Sequence, residues 1–203
     1  MSAPEQTVFV VDDDEAVRRS LCLLLRSVGL NTEDYDSATT FLASLGAERG
    51  GCLLLDIRMP GMSGTELHDI LRERGIALPV IFITGHGDVP MAVRAIKKGA
   101  HDFIQKPFND QDLLDRVQGA LRADAARRTV DTEKRDLQAR RERLTPREHE
   151  ILERIVAGQA NKVIAIELGL SERTVELHRS RVMDKMQVRS VAELVAVTLK
   201  LQS

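Results

Sequence analysis

The chain has 203 residues, with 29 Lys and Arg against 31 Asp and Glu, a net charge of −2, and 43% hydrophobic residues. This is ordinary for a globular protein of one large or two small domains. The polar start Met1–Thr7 has no signal-peptide pattern and no apolar run approaches a membrane span, so a cytoplasmic location with no membrane partner is expected. Two cysteines argue against a disulfide framework, and five scattered histidines argue against a zinc site. The charge is divided: residues 1–125 hold 13 basic and 19 acidic residues, a balance of −6, whereas 126–203 hold 16 and 12, a balance of +4. Such a split suggests two parts with different partners, the second anionic.

In chain order, Val8–Val11, Cys52–Leu55, Val80–Ile83 and Asp102–Ile104 are short apolar runs that suit buried strands, with Asn31–Tyr35 as a weaker strand nearer an edge. Between them lie segments of helical spacing. Val17, Leu21, Leu24, Leu25 and Val28 mark the first, and Ser37 to Leu45 the second. Ser63 and Glu66 form a capping box before Leu67, Ile70 and Leu71. Val89 to Lys98 is the fourth, and Leu113, Leu114, Val117 and Leu121 mark the fifth. Strands alternating with helices predict a doubly wound, flavodoxin-like α/β domain over residues 1–122, with a five-stranded parallel sheet.

Residues 123–143 are dominated by Arg, Lys, Asp, Glu and Ala. The expectation is a solvated or frayed helical linker continuing the fifth helix. Val130, Leu137 and Leu144 repeat every seven residues, but polar Glu133 and Lys134 leave a coiled coil under-specified. A second domain, 144–203, opens on Thr145-Pro146-Arg147-Glu148, a capping box with proline at the first helical position. Gly158 and Gly169 stop its first two helices. Asn161, Ser171 and Ser190 open the later ones, giving an all-α domain of four helices.

Three features of the first domain converge. Asp12, Asp13, Asp14 and Glu15 follow the first strand, Asp56 ends the third, and Lys106 follows the fifth. Carboxyl ends of parallel strands share one edge, so these groups can meet there. Clustered carboxylates call for a cation, and hard oxygen donors without His or Cys favour Mg²⁺. Lys106 and the Thr84 hydroxyl suit a phosphoryl oxygen, and the set has the parts for forming an aspartyl phosphate at Asp56. A helix N-terminus favouring negative charge accounts for the acidic run alone, but not for Thr84, Lys106 and Asp56 at matching strand ends.

Val10-Val11-Asp12-Asp13, Leu55-Asp56-Ile57-Arg58-Met59-Pro60-Gly61, Thr84-Gly85-His86-Gly87 and Lys106-Pro107-Phe108 resemble the receiver domain of bacterial two-component response regulators. The resemblance implies that Asp56 accepts phosphate from a sensor histidine kinase. It implies that Asp13, Asp56 and the backbone carbonyl of Arg58 bind Mg²⁺, with Asp12 helping through water. It further implies that Thr84 and Lys106 hold the phosphoryl group, that Lys106–Pro107 is cis, and that Phe103 stands where the family has a switch aromatic, often Tyr.

In the second domain, Arg173, Glu176, His178, Arg179, Arg181 and Lys185 surround the apolar stripe of the third helix. With Asn161–Leu168 and the Gly169-Leu170-Ser171 turn this is a helix-turn-helix pattern, suited to the major groove of double-stranded DNA. A small bundle with a solvated cationic face is the alternative. Leu144-Thr145-Pro146-Arg147-Glu148, Asn161-Lys162-Val163-Ile164-Ala165 and Leu170–Arg179 resemble the LuxR-type DNA-binding domain. With His86–Val93, the two domains resemble the FixJ-like group of regulators. That resemblance places Lys162, Thr174, Glu176, His178, Arg179 and Arg181 nearest the DNA, with Lys185 as a further candidate.

The expected function is phosphorylation-dependent transcription regulation. Phosphorylated Asp56 would draw in Thr84 and Lys106 and shift Phe103, and the shifted surface would either produce a homodimer, with Val93 and Lys97 as candidate contacts, or release the DNA-binding domain. The dimer would bind promoter DNA, with RNA polymerase as a further partner. The chain is not expected to be an enzyme beyond Mg²⁺-dependent phosphoryl acceptance and slow self-dephosphorylation, tuned by Arg58 and His86. A small phosphatase using Asp56 as a turnover nucleophile shares the pocket but leaves residues 145–203 without a role. A receiver used only for protein contact is the third reading, one that salt-sensitive DNA binding would oppose.

Overall fold

The apolar run that ends at Asp56 forms the middle strand of a five-stranded sheet. The computed structural model describes residues 6–46, 49–85 and 89–202. Strands β1 (Thr7–Val11), β2 (Asn31–Tyr35), β3 (Gly51–Asp56), β4 (Val80–Thr84) and β5 (Asp102–Gln105) lie in the order β2-β1-β3-β4-β5, every neighbouring pair parallel. Every residue of β3 and β4 is buried, as continuous apolar runs in a parallel sheet must be, whereas β2 is partly exposed at the edge.

Helices α1 (Glu15–Ser27), α2 (Ala38–Ser44), α3 (Gly64–Glu73), α4 (Val89–Lys97) and α5 (Asp110–Glu142) alternate with the strands. Alternation along each strand feeds two cores. Phe9, Leu53, Leu55 and Phe82 pack with Phe41, Leu67 and Leu71 on one face. Val10, Leu54, Ile81 and Ile83 pack with Leu21, Leu25, Leu113 and Val117 on the other. Asp14 caps α1 by accepting from the backbone of Ala16 and Val17, and Ser63 with Glu66 closes the expected capping box on α3.

The chain divides into two compact units between Arg128 and Thr129, inside the segment expected to be a linker. That segment is helical as expected, but it is not simply solvated. Asp124 is fully buried in the first unit. Its carboxylate accepts from the Gly51 backbone N–H at 2.9 Å and from the Arg127 guanidinium at 2.6 Å. In the second unit Leu137 is buried, and Arg140 donates to the carbonyl of Met186 at 3.4 Å. Each end of the segment therefore supplies buried groups to its own unit, which its charged composition conceals.

The second unit continues with α6 (Pro146–Val156), α7 (Asn161–Leu168), α8 (Glu172–Met186) and α9 (Val191–Gln202). Ile151, Leu152, Ile155, Ile164, Val175, Val182, Met186 and Leu194 form its core. Thr145 caps α6 with Glu148, as the sequence predicts. Gly169 adopts the left-handed conformation (φ 64°) that ends α7, and Ser171 caps α8. The α7-turn-α8 pair is a helix-turn-helix. Among the described residues, no helix is long and apolar enough to cross a membrane.

Candidate functional site

The carboxyl ends of β1, β3 and β5 bring together Asp12, Asp56 and Lys106. The Lys106 ammonium lies 2.9 Å from Asp12 Oδ2 and 3.0 Å from Asp56 Oδ1. Register explains the meeting: Asp56 pairs with Ile83, and the Lys106 backbone N–H reaches the Thr84 carbonyl at 2.7 Å. The Lys106–Pro107 bond is cis. Both carboxylates are otherwise held by the backbone, with Asp14 N–H donating to Asp12 at 2.9 Å and Arg58 N–H donating to Asp56 at 2.7 Å.

Asp56 is mounted from below as well. Gly64 opens α3 against the end of β3, its N–H donating to the Ile57 carbonyl at 3.0 Å, and a Cβ at this position would stand 2.1 Å from the Asp56 carbonyl oxygen. Only glycine permits the loop after Asp56 to double back this closely.

Two buried carboxylates share one ammonium. Burial raises the Asp56 carboxyl above its ordinary value, the Asp12 charge adds to this, and the contacts with Lys106 offset only part of it. The Lys106 ammonium titrates higher than usual because its two carboxylate partners outweigh the cost of its own burial.

Asp13 is exposed beside this pair, and so is Arg58. Thr84 is fully buried, and its hydroxyl donates to the Ile104 carbonyl at 3.4 Å, a long bond. Phe103 is half-buried, packed against the core on one face of the sheet. Val93 and Lys97 are exposed one turn apart on α4. His86, Gly87 and Asp88 lie outside the described residues. Among the described residues no three His, Cys, Asp or Glu side chains form a metal-binding group. The donors at the strand ends are nonetheless hard oxygens facing a common cation, and Mg²⁺ needs only one or two carboxylates because it retains waters. The donor set fits that ion.

On α8 the buried stripe Val175, Val182 and Met186 leaves Arg173, Glu176 and Arg181 exposed, with Lys162 exposed on α7. Thr174, His178 and Arg179 are half-buried at the margins of that face. Lys185 departs from expectation. Its ammonium is 2.6 Å from Glu148, which is 2% exposed, and 3.1 Å from the Arg143 carbonyl, so it holds the bundle together rather than facing outward. The pairing joins residues on α6 and α8, too distant in sequence for helical spacing to reveal.

Residues 8–118 match the response regulator receiver domain, and residues 142–198 match the bacterial regulatory proteins of the luxR family. The chain belongs to the response regulators that join these two domains. The response regulator protein TmoT of Ectopseudomonas mendocina is 45% identical over all of this chain and 92% of its own. The transcriptional regulatory protein FixJ of Azorhizobium caulinodans is 46% identical over 95% of this chain and 91% of its own. The solved structure of the response regulator StyR superposes with a TM-score of 0.91 at 47% identity, covering 97% of this chain and 99% of that one. Full-length FixJ from B. japonicum gives 0.61 at 40% identity, with 98% of each chain covered.

This response regulator is therefore a transcriptional regulator of two-component type. Its receiver domain carries the Asp12–Asp56–Lys106 cluster, and its luxR-family domain carries the helix-turn-helix. Neither family is a family of enzymes. Sequence reasoning missed the burial of Asp124 and Glu148, the two buried carboxylates outside the cluster among the described residues. The capping box at Thr145 was the one signal that pointed to Glu148.

Proposed function

We propose that a sensor histidine kinase phosphorylates Asp56 and that this controls dimerisation and sequence-specific DNA binding. The observation that carries the reading is the Lys106 ammonium held 2.9 and 3.0 Å from Asp12 and Asp56. An Asp56 oxygen attacks the phosphorus of a phosphohistidine. The new P–O bond forms as the P–N bond breaks, and the imidazole nitrogen leaves and takes a proton. Mg²⁺ would be held by Asp13, Asp56 and the Arg58 carbonyl, with Asp12 through water, and supplies charge neutralisation when bound. Lys106 binds a phosphoryl oxygen as a point charge. Thr84 turns from the Ile104 carbonyl to the same group, and Phe103 follows it on β5.

Self-dephosphorylation is slow, tuned by Arg58 and His86, which stand two residues after Asp56 and Thr84 in the sequence. The shifted α4–β5 surface, with Val93 and Lys97, joins two copies. The dimer presents two α8 helices to paired half-sites about one or more DNA turns apart. Lys162, Thr174, Glu176, His178, Arg179 and Arg181 meet the DNA, and the complex acts on RNA polymerase. The setting is the cytoplasm. The boundaries 1–122, 123–143 and 144–203 describe the functional parts, with α5 as the connecting helix.

Asp56→Asn tests the reading. Light scattering and footprinting with and without a small phosphodonor such as acetyl phosphate should show dimer and protected promoter for wild type only. An Asp56→Asn protein that dimerises and binds DNA in response to the donor as wild type does would overturn it.

A further inference from the structure

We propose that a cavity at the amino-terminal edge of the receiver sheet binds a small monocarboxylate with an apolar body. The cavity, about 250 Å³, lies against the loops that enter β4 and β5, the opposite edge from Asp56. It is lined by His68 and Arg72 of α3, His101 before β5, and Arg127 of α5, with Leu71 and Leu78 among its apolar walls.

His68 is the decisive residue. It is 4% exposed, and its surface lines the cavity. Its ring meets Phe82 edge-on at 5.6 Å and makes no hydrogen bond with any described residue. The ring nitrogens are not among the buried polar atoms left without a partner, so they open onto the cavity and are available to hydrogen-bond a ligand there. Burial also lowers its pKa, so the ring is neutral near pH 7 and offers one donor and one acceptor.

The charge of the site selects an anion. Arg72 is exposed, and its guanidinium makes no hydrogen bond or ion pair with a described residue. The nearby acids are already engaged: Asp69 by Lys98 at 2.6 Å, and Asp124 by Arg127 at 2.6 Å. A guanidinium favours the planar, bidentate geometry of a carboxylate. The apolar walls select a body beyond the carboxylate, because a compact inorganic anion would leave them wet. The volume equals about eight waters, room for a short-chain acid.

Isothermal titration of the full-length protein with hexanoate and, separately, with inorganic phosphate tests the site. Hexanoate should bind one to one and shift the His68 ring signals in NMR. Arg72→Gln should weaken it about tenfold, the loss of one charge-assisted pair. Ala77→Trp, an exposed change at the cavity rim, should block it while leaving Arg72 in place. Three results would each overturn the proposal. One is hexanoate binding weaker than about 10 mM. Another is phosphate binding as tightly as hexanoate, which would mean a cationic patch only. The third is hexanoate affinity unchanged in both variants, which fold because each position is exposed.

Discussion

Two lysines in this chain each neutralise a buried acid, and the outcomes are opposite. In the luxR-family domain, one ammonium serves one carboxylate: Lys185 meets Glu148 at 2.6 Å, and the Thr145 N–H donates to the same carboxylate at 2.8 Å. Burial works against Glu148, but these partners win, and its pKa falls. In the receiver domain one ammonium serves two carboxylates, and the Asp56 pKa rises. The same ingredients make a fastener when charges balance and a reactive centre when one negative charge is left over.

Removing each lysine separates the two cases. Lys185→Met leaves Glu148 charged and buried, and should cost about 3 kcal/mol in urea denaturation of the helical unit, near the lower end for a broken buried pair. Glu148 has a lowered folded pKa, so its contribution is present above the ordinary carboxylate range. It is lost as pH falls through the lower folded value, and Lys185→Met should flatten that acid limb. Lys106→Met leaves two carboxylates facing each other, but protonation of Asp56 relieves them. A cost of about 2 kcal/mol at pH 7, shrinking in acid, is expected for the receiver.

Asp56→Asn should have the opposite sign. A carboxyl whose folded pKa is raised destabilises the fold as pH rises through that value, so removing it should stabilise the receiver at pH 7 by about 1 kcal/mol. Thermal melts at pH 4 and pH 7 should show the gain only at the higher pH. The smallest effect belongs to an exposed pair. Arg19→Gln breaks the Glu15–Arg19 contact, 65% and 78% exposed, and should change stability by less than about 0.5 kcal/mol.

The cluster was legible because strand ends carry their residues to a common edge whatever the loops do. Asp12, Asp56 and Lys106 needed only the order of elements. The capping boxes at Ser63 and Thr145 were legible because they are local. Contacts between segments distant in sequence were not. Asp124 sits in a charged stretch that predicts solvent, and its burial depends on the Gly51 N–H arriving from β3. Lys185 falls among the cations of a recognition helix, and only the fold turns it to Glu148. His68 follows Leu67 on the inner side of α3, but its spacing shows no reason to be without a hydrogen bond.

The Asp124–Gly51 contact has a mechanical meaning. Strand β3 is pinned at its root, where Asp124 grips the first residue and a Cβ on Gly51 would stand 1.8 Å from the Thr7 carbonyl oxygen. It is pinned again at its tip by the close passage of Gly64 over Asp56. A rail fixed at both ends cannot slide along its axis. A load applied at Asp56 along the strand therefore meets a fixed mount, and the neighbouring strand end that it borders, Thr84 on β4, is itself fully buried.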